Sequence, residues 1–295
     1  MGMKMLSVAL AAIALGAVTV APAGAAPEGN TIVEIKSAAD GLCLDLSKPE
    51  TLRAGVSACD GSAAQRFERV PAVAGGGSYL RNIGSGTCLD GYNSSVTTWP
   101  CETVEAGQRF QEVADADGTV KLAVAGRFGT RFVDSYLFSL FGDVSMFEAS
   151  TRPTQRWLVR EVGVVPPPQP GAPVKLRQAQ EGTCVSDSVE YLNELRACDA
   201  APAFERIDAG GGKVALRSQA SGNCLTVMPE PSLAVKLENC DVARPAQQWS
   251  LVGDELGNYT IVHGVNLLTS GTNGRVVVFD PFETSLLQRW QLLPV

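Results

Sequence analysis

Asp90 and Trp99 stand nine positions apart, at the end of Thr87-Cys88-Leu89-Asp90 and inside Thr97-Thr98-Trp99-Pro100-Cys101. A carboxylate accepts two O–H hydrogen bonds from vicinal hydroxyls, and an indole lies well against a flat patch of C–H. A pyranose ring offers both handles. If Thr97–Trp99 is a strand with Val96 facing a core, Thr98 faces inward as well and Trp99 points outward. Tyr92 and Asn93, just past Asp90, add contact groups. A second pair repeats the arrangement more weakly. Asp134 closes Arg131-Phe132-Val133-Asp134, and Phe147 follows Ser145-Met146 so that alternation again turns the ring outward. The bland reading of each pair is an Asp in a turn beside a half-buried aromatic.

These residues belong to a repeat. Gln65-Arg66-Phe67, Gln108-Arg109-Phe110, Gln155-Arg156-Trp157, Gln247-Gln248-Trp249 and Gln288-Arg289-Trp290 return every 41 to 47 residues, if Pro202-Ala203-Phe204 fills the one gap. Such a period means supersecondary units that bury a core only by stacking on one another. Runs such as Val174-Lys175-Leu176-Arg177 and Tyr259-Thr260-Ile261-Val262 alternate in the manner of strands and are broken by Gly, Asn, Asp and Ser. An all-β fold of many short strands follows.

Cysteines keep time with the repeat. Eight thiols allow about a hundred full pairings. The repeat singles out Cys43–Cys59, Cys88–Cys101, Cys184–Cys198 and Cys224–Cys240, each within one unit. Loops of that size stabilise a fold by about 3 kcal/mol each in the chain-entropy model. Disulfides require an oxidising compartment, and the first 26 residues have the layout of an export signal. Lys4 precedes an apolar run from Leu6 to Val20, and Ala23-Gly24-Ala25 offers cleavage after Ala25 or Ala26. A retained membrane anchor is the alternative, but the run is short and lacks basic flanks behind it. A secreted protein is the expectation, with no later segment apolar enough to span a bilayer.

The totals exclude several function classes. The net charge of −7 becomes −8 without Lys4, so a nucleic-acid partner is not expected. His263 is the single histidine, which removes any multi-histidine metal site, and no close-spaced Cys/His pairs suggest zinc. No Gly-x-Ser-x-Gly, His-Glu-x-x-His or phosphate-cradling loop occurs, so an enzyme is not expected and no cofactor is implied.

Val165-Pro166-Pro167-Pro168-Gln169-Pro170-Gly171-Ala172-Pro173 is a stiff spacer between the third and fourth repeats. A six-bladed propeller has no use for it. Two three-repeat domains do, with residues 28–162 and 174–295 as the domains and 163–173 as the linker.

The Gln-x-aromatic triplets, the Gly-x-Cys-Leu-Asp openings at Gly41–Asp45 and Gly86–Asp90, and the cysteine placement together resemble the ricin B-type lectins. The resemblance covers essentially the whole chain after the leader. It implies two tandem β-trefoils, each with twelve strands, six in a barrel and six in a cap. It also implies that Gln108 and its equivalents fix the backbone while the aromatic two places on fills the core. Sugar sites in this family set the acid at the end of the Cys-x-Asp opening, an aromatic two residues before the second cysteine position, and an asparagine before the triplet. The second repeat fits with Asp90 and Trp99 but has Gly107 for the asparagine; the third has Asp134, Phe147 and Thr154. The first keeps Asp45 but has Ser57 and Ala64. In the second domain Ser186, Thr226 and Thr269 replace the acid, with Asp187 one place late, Arg196 and Glu238 at the aromatic position and Phe279 retained.

The resemblance implies a galactose-like sugar or polysaccharide end as ligand, held at Asp90, Trp99, Gln108, Tyr92 and Asn93, with Asp134, Phe147 and Asp45 as further sites. One stretch stands apart: Phe128, Phe132, Tyr136, Phe138, Phe141 and Phe147 crowd into twenty positions. It reads as a lid between the two domains or as a surface for a protein partner. The rival to a lectin is therefore a protein-interaction scaffold, or a toxin's targeting subunit, whose sugar sites have decayed.

Overall fold

A computed structural model describes residues 29–47, 52–73, 76–103, 105–135, 143–166, 171–187, 194–229, 234–271, 274–281 and 286–295. The leader and Tyr136, Phe138 and Phe141 lie outside the described residues. Regular structure among the described residues is short strands and single 3-10 turns. No described helix is long and apolar enough to cross a membrane.

The strands form two separate twelve-stranded sheets, one from Asn30 to Val165 and one from Val174 to Pro294. Each repeat contributes four. In the second repeat these are Ser78–Asn82, Cys88–Asp90, Thr97–Trp99 and Arg109–Ala114. The first and fourth strands of successive repeats pair around a closed six-strand barrel. Phe67 lies opposite Asn82, Phe110 opposite Val124, and Ser37 opposite Trp157, where the last strand returns to the first. The middle two strands of each repeat form a hairpin, and three hairpins cap one end. Bridges Arg53–Thr97, Gly55–Asp143 and Ser95–Ser145 tie them together. The second sheet repeats the plan, with Leu176 opposite Leu292 at its closure. Both are β-trefoils, and closure leaves the barrels without exposed edges. The last strand of the first trefoil runs into the segment that composition assigns to the linker, because Gly163, Val164 and Val165 pair with Ile32, Thr31 and Asn30.

The triplet aromatics converge inside each barrel. Phe67, Phe110 and Trp157 join one core cluster with Leu44, Leu89 and Val133, and Phe204, Trp249 and Trp290 join the other with Val185, Leu225 and Leu268. All six rings are essentially out of solvent contact. Burial of three such rings per domain supplies several kcal/mol each relative to exposure. The indoles also satisfy their polar handle. Trp157 Nε1 donates to the Val133 carbonyl at 3.0 Å, Trp249 to Leu225 at 3.0 Å and Trp290 to Leu268 at 2.9 Å. In each case the acceptor sits one residue before the acid position of the same repeat.

Four disulfides staple the repeats, Cys43–Cys59, Cys88–Cys101, Cys184–Cys198 and Cys224–Cys240. Each joins the second strand of a repeat to the loop beyond its third.

Two outcomes test this core. Trp157→Ala is expected to lower unfolding free energy by about 3–5 kcal/mol in urea titration. Trp157→Phe, which keeps a ring as at Phe67 and Phe110, is expected to lose only the hydrogen-bond share, about 1–3 kcal/mol. Equal losses would mean that ring volume is not what the axis requires. Replacing Cys88 and Cys101 by Ala is expected to lower stability by about 3 kcal/mol while leaving the other three bridges intact by mass spectrometry of disulfide-linked peptides.

Candidate functional site

Each clear triplet glutamine ends a 3-10 turn: Ala63–Gln65, Ala106–Gln108, Pro153–Gln155, Pro245–Gln247 and Leu286–Gln288. The turn drives the carboxamide inward, where it is buried and must find its partners within the protein. Gln108 Oε1 accepts the Glu102 N–H at 2.8 Å, and its Nε2 donates to the Pro100 carbonyl at 3.0 Å. Gln155 does the same with Ser150 N and the Glu148 carbonyl, and Gln247 with Asp241 N and the Asn239 carbonyl. The clamp closes the loop that leaves the hairpin.

A further amide hydrogen reaches the acid position. Gln65 Nε2 donates to Asp45 Oδ2 at 2.8 Å, Gln247 to Thr226 Oγ1 at 2.9 Å and Gln288 to Thr269 Oγ1 at 3.1 Å. Gln108 hydrogen-bonds Asp90 in the same way. The acid position is thus part of the clamp. Thr226 and Thr269 fill it with a hydroxyl that passes its own proton to the Cys224 and Leu267 carbonyls. A threonine completes the network but leaves nothing to accept from a ligand.

Asp45 and Asp90 diverge in what remains free. Burial alone would raise Asp45, but hydrogen bonds from Ser47, Ser57 and Gln65 outweigh it and hold the carboxyl below the ordinary 3.8. Both of its oxygens are taken. Asp90 receives less: the Tyr92 N–H at 2.8 Å on Oδ1, and Gln108. Burial dominates there and raises its pKa above 3.8, against the pull of those two bonds. Asp90 keeps 8% of its surface, and Asp134 keeps none.

The second hairpin sets Cys88 opposite Trp99 and Asp90 opposite Thr97. All four side chains therefore belong to one face, with Leu89 and Thr98 on the other. Val96 and Thr98 are buried while Trp99 is 52% exposed. The disulfide to Cys101 covers Cys88, so the indole extends outward beyond it. Asp90 and Trp99 are diagonal neighbours, within reach of one another's ligand at about 7–8 Å between backbones. Tyr92 and Asn93 are exposed beside them.

Gly107 has a geometric reason. A Cβ there would stand 2.9 Å from Asp90 Oδ1 and 2.7 Å from Tyr92 Cβ. The turn after Asp90 packs on it, with Gly91 N–H donating to the Gly107 carbonyl at 2.8 Å and Arg127 N–H to the Tyr92 carbonyl at 3.0 Å. Tyr92 thereby occupies ground that an asparagine side chain would claim. Composition alone showed only a missing amide.

The third repeat sets Asp134 opposite Ser145 and Phe132 opposite Phe147. Phe147 is half-buried with the Arg152 guanidinium 6.0 Å from its ring. In the second trefoil Asp187 accepts from Ser218 Oγ at 2.7 Å, Glu238 pairs with Arg244, and Phe279 is exposed. Of the aromatic stretch, Phe128 is 58% exposed, with Arg131 5.0 Å from its ring. Contacts between the trefoils among the described residues run elsewhere, through Arg81, Gly84 and Gly86. The grouping of Glu34 with Cys43 and Cys59 offers no thiolate for a metal, because the two sulfurs are bonded to each other.

Residues 31–127 match the family model of the ricin-type beta-trefoil lectin domain. No curated protein matches the chain. Among solved structures it is similar to a mosquitocidal holotoxin (13% identity over 90% of this chain and 34% of that one, TM-score 0.39). It is also similar to the designed 3-fold symmetric protein ThreeFoil (19%, 44% of this chain and 99% of that one, TM-score 0.39). A third is a non-toxic homologue of type II RIPs from Momordica charantia, solved with alpha-methyl-D-galactoside (15%, 90% and 97%, TM-score 0.35). The chain spans about a third of the holotoxin's length. On its all-β framework of two trefoils, the chain thus carries a ricin-type beta-trefoil lectin domain over residues 31–127.

Proposed function

We propose that this is a secreted carbohydrate-binding protein that holds a galactose-like sugar or a polysaccharide end at the second repeat of the first trefoil. One observation carries the reading: Asp90 and Trp99 share the outward face of a disulfide-stapled hairpin, the acid with accepting capacity left and the indole exposed. Asp90 accepts two sugar hydroxyls, Trp99 covers the C–H face, and Gln108 holds the acid in place from behind. Tyr92 and Asn93 border the site. Asp134 with Phe147, and Asp45, are weaker candidates, the first for its burial and the second for its saturated oxygens. The trefoils are assigned to residues 28–162 and 174–295, joined by 163–173.

A shallow site of this kind binds a single sugar at about millimolar strength, about −4 kcal/mol. Useful avidity then requires several copies or sites on one glycan surface. The rival scaffold reading rests on the second trefoil, where Ser186, Thr226 and Thr269 are buried at the acid positions.

On a glycan array, wild type is expected to give a galactose-type or polysaccharide signal that Asp90→Ala with Trp99→Ala abolishes. An unchanged pattern from the folded double variant overturns the site, and no signal from wild type favours the scaffold. Binding is expected to weaken on acidification from a higher pH than an ordinary carboxylate would dictate, because the accepting form of Asp90 is lost as pH falls through its raised pKa. Calorimetric titration of the sugar across that range checks it.

The two acids are expected to differ in stability. A raised folded pKa means Asp90 stabilises the fold only in its protonated form, below the unfolded value, and loses that contribution as pH rises through the folded one. Asp90→Asn should therefore leave neutral-pH stability unchanged or slightly higher while removing sugar binding. Asp45, with its lowered pKa, contributes above the unfolded value and loses it as pH falls through the folded one. Asp45→Asn should reduce stability by about 1–3 kcal/mol in the same urea assay.

A further inference from the structure

A cleft of about 730 Å³ lies between the two trefoils, and its floor is polar while its walls are apolar. Ile32, Ile83 and Val165 line it from the first trefoil, and Tyr259 and Leu293 from the second. The floor holds Glu68, Arg81, Arg177 and Gln291. Arg81 crosses from the first trefoil to donate to the Leu256 carbonyl at 2.7 Å. Gln291 reaches back to the Gly86 carbonyl at 3.2 Å and accepts from Arg177 Nε at 2.7 Å.

The charges on this floor do not cancel. Glu68 is committed on both oxygens, Oε1 to Asn30 Nδ2 at 2.8 Å and Oε2 to Arg81 Nε and Nη2 at 2.9 and 2.6 Å. That leaves one guanidinium over. Arg177 is 6% exposed, and its hydrogen bonds go to neutral acceptors, the Gln291 amide and the Gly84 carbonyl at 3.5 Å. Among the described residues its side chain has no carboxylate in ion-pair contact, the ten pairs being made by other cations. Burial first, then the neighbouring Arg81 charge, lower its pKa to about 10, so it remains charged at neutral pH. A buried cation without a counter-charge is expensive to hold, and an anion arriving beside it relieves the penalty.

We propose that the inter-trefoil cleft is a second binding site, distinct from the sugar site, for a small organic monocarboxylate whose apolar body fills the cleft and whose carboxylate pairs with Arg177. The volume matches sites that enclose small organic ligands. A planar guanidinium receives a carboxylate through two parallel hydrogen bonds, and the apolar walls favour a chain or ring over a hydrated ion. Bare phosphate, with nothing to set against Ile32 and Leu293, is not the ligand.

Octanoate is the probe, titrated into the full-length protein by calorimetry, with octanamide and inorganic phosphate as controls. Saturable one-to-one octanoate binding is expected, at least tenfold stronger than octanamide and undetectable for phosphate. Arg177→Gln should weaken octanoate at least tenfold and leave octanamide within about twofold, the difference between a charged and a neutral partner being about 1.4 kcal/mol or more. Because that variant alters the contact between trefoils, Ile83→Trp provides a second route, filling the cleft without touching the floor; it should abolish octanoate binding. Glycan binding at the Asp90 site serves as the folding control for both. Equal affinity for octanoate and octanamide, or octanoate binding that survives both variants, overturns the proposal, as does a wild-type protein that binds no octanoate.

Discussion

A buried carboxamide with all of its partners supplied by one loop holds each repeat together. Glutamine has two donors and two acceptor sites, and in the interior they must be met by fixed groups. Gln65, Gln108, Gln155 and Gln247 take an N–H from the loop beyond the hairpin and return a hydrogen to a carbonyl just past the third strand. The strand that follows begins with the glutamine already placed, so the aromatic two residues on enters the barrel at a set height. The same carboxamide touches the acid position of the hairpin. Core, loop and candidate site are three consequences of one set of hydrogen bonds.

That coupling explains why the acid positions differ without disturbing the fold. A hydroxyl at Thr226 or Thr269 serves the glutamine as well as a carboxylate does. A carboxylate retains further capacity only where the surrounding donors are few. Asp45 is wrapped by Ser47, Ser57 and Gln65 and becomes a structural acid, whereas Asp90 is buried with fewer bonds and carries an energetic penalty as an anion. A penalty of that kind is usual for groups kept for binding, where stability is given up for an unfilled valence. Gly107 adds to it by letting the Tyr92 turn sit against the acid, exchanging an amide contact for an aromatic border.

Between the trefoils the same logic runs with charge. Gly86, at φ +76°, leaves room for Arg177 where a Cβ would come within 2.1 Å of Nη2, and the guanidinium enters the contact between domains there. Val70, Tyr79, Leu256 and the Cys88–Cys101 bridge pack around that contact as a small apolar cluster. The staple that supports the candidate sugar face on one side thus supports the domain contact on the other.

The period of the aromatic triplets, the cysteines in phase with it and the alternation through Val96–Trp99 were enough to establish an all-β fold of three-repeat trefoils, the four disulfide pairings and the outward indole. Those features depend on neighbours within one repeat, where spacing along the chain and position in space are nearly the same thing. The burial of Asp134, the saturation of Asp45 and the close approach at Gly107 were not legible, because each is set by which groups the folded loops bring to a given atom. Still less visible was the role of Arg177, one of several arginines at the ends of strands. Its partners and those of Arg81 and Gln291 across the domain contact lie 93 to 205 residues away. No local pattern encodes a hydrogen bond over that separation; only the closed barrels, set side by side, bring the groups within reach.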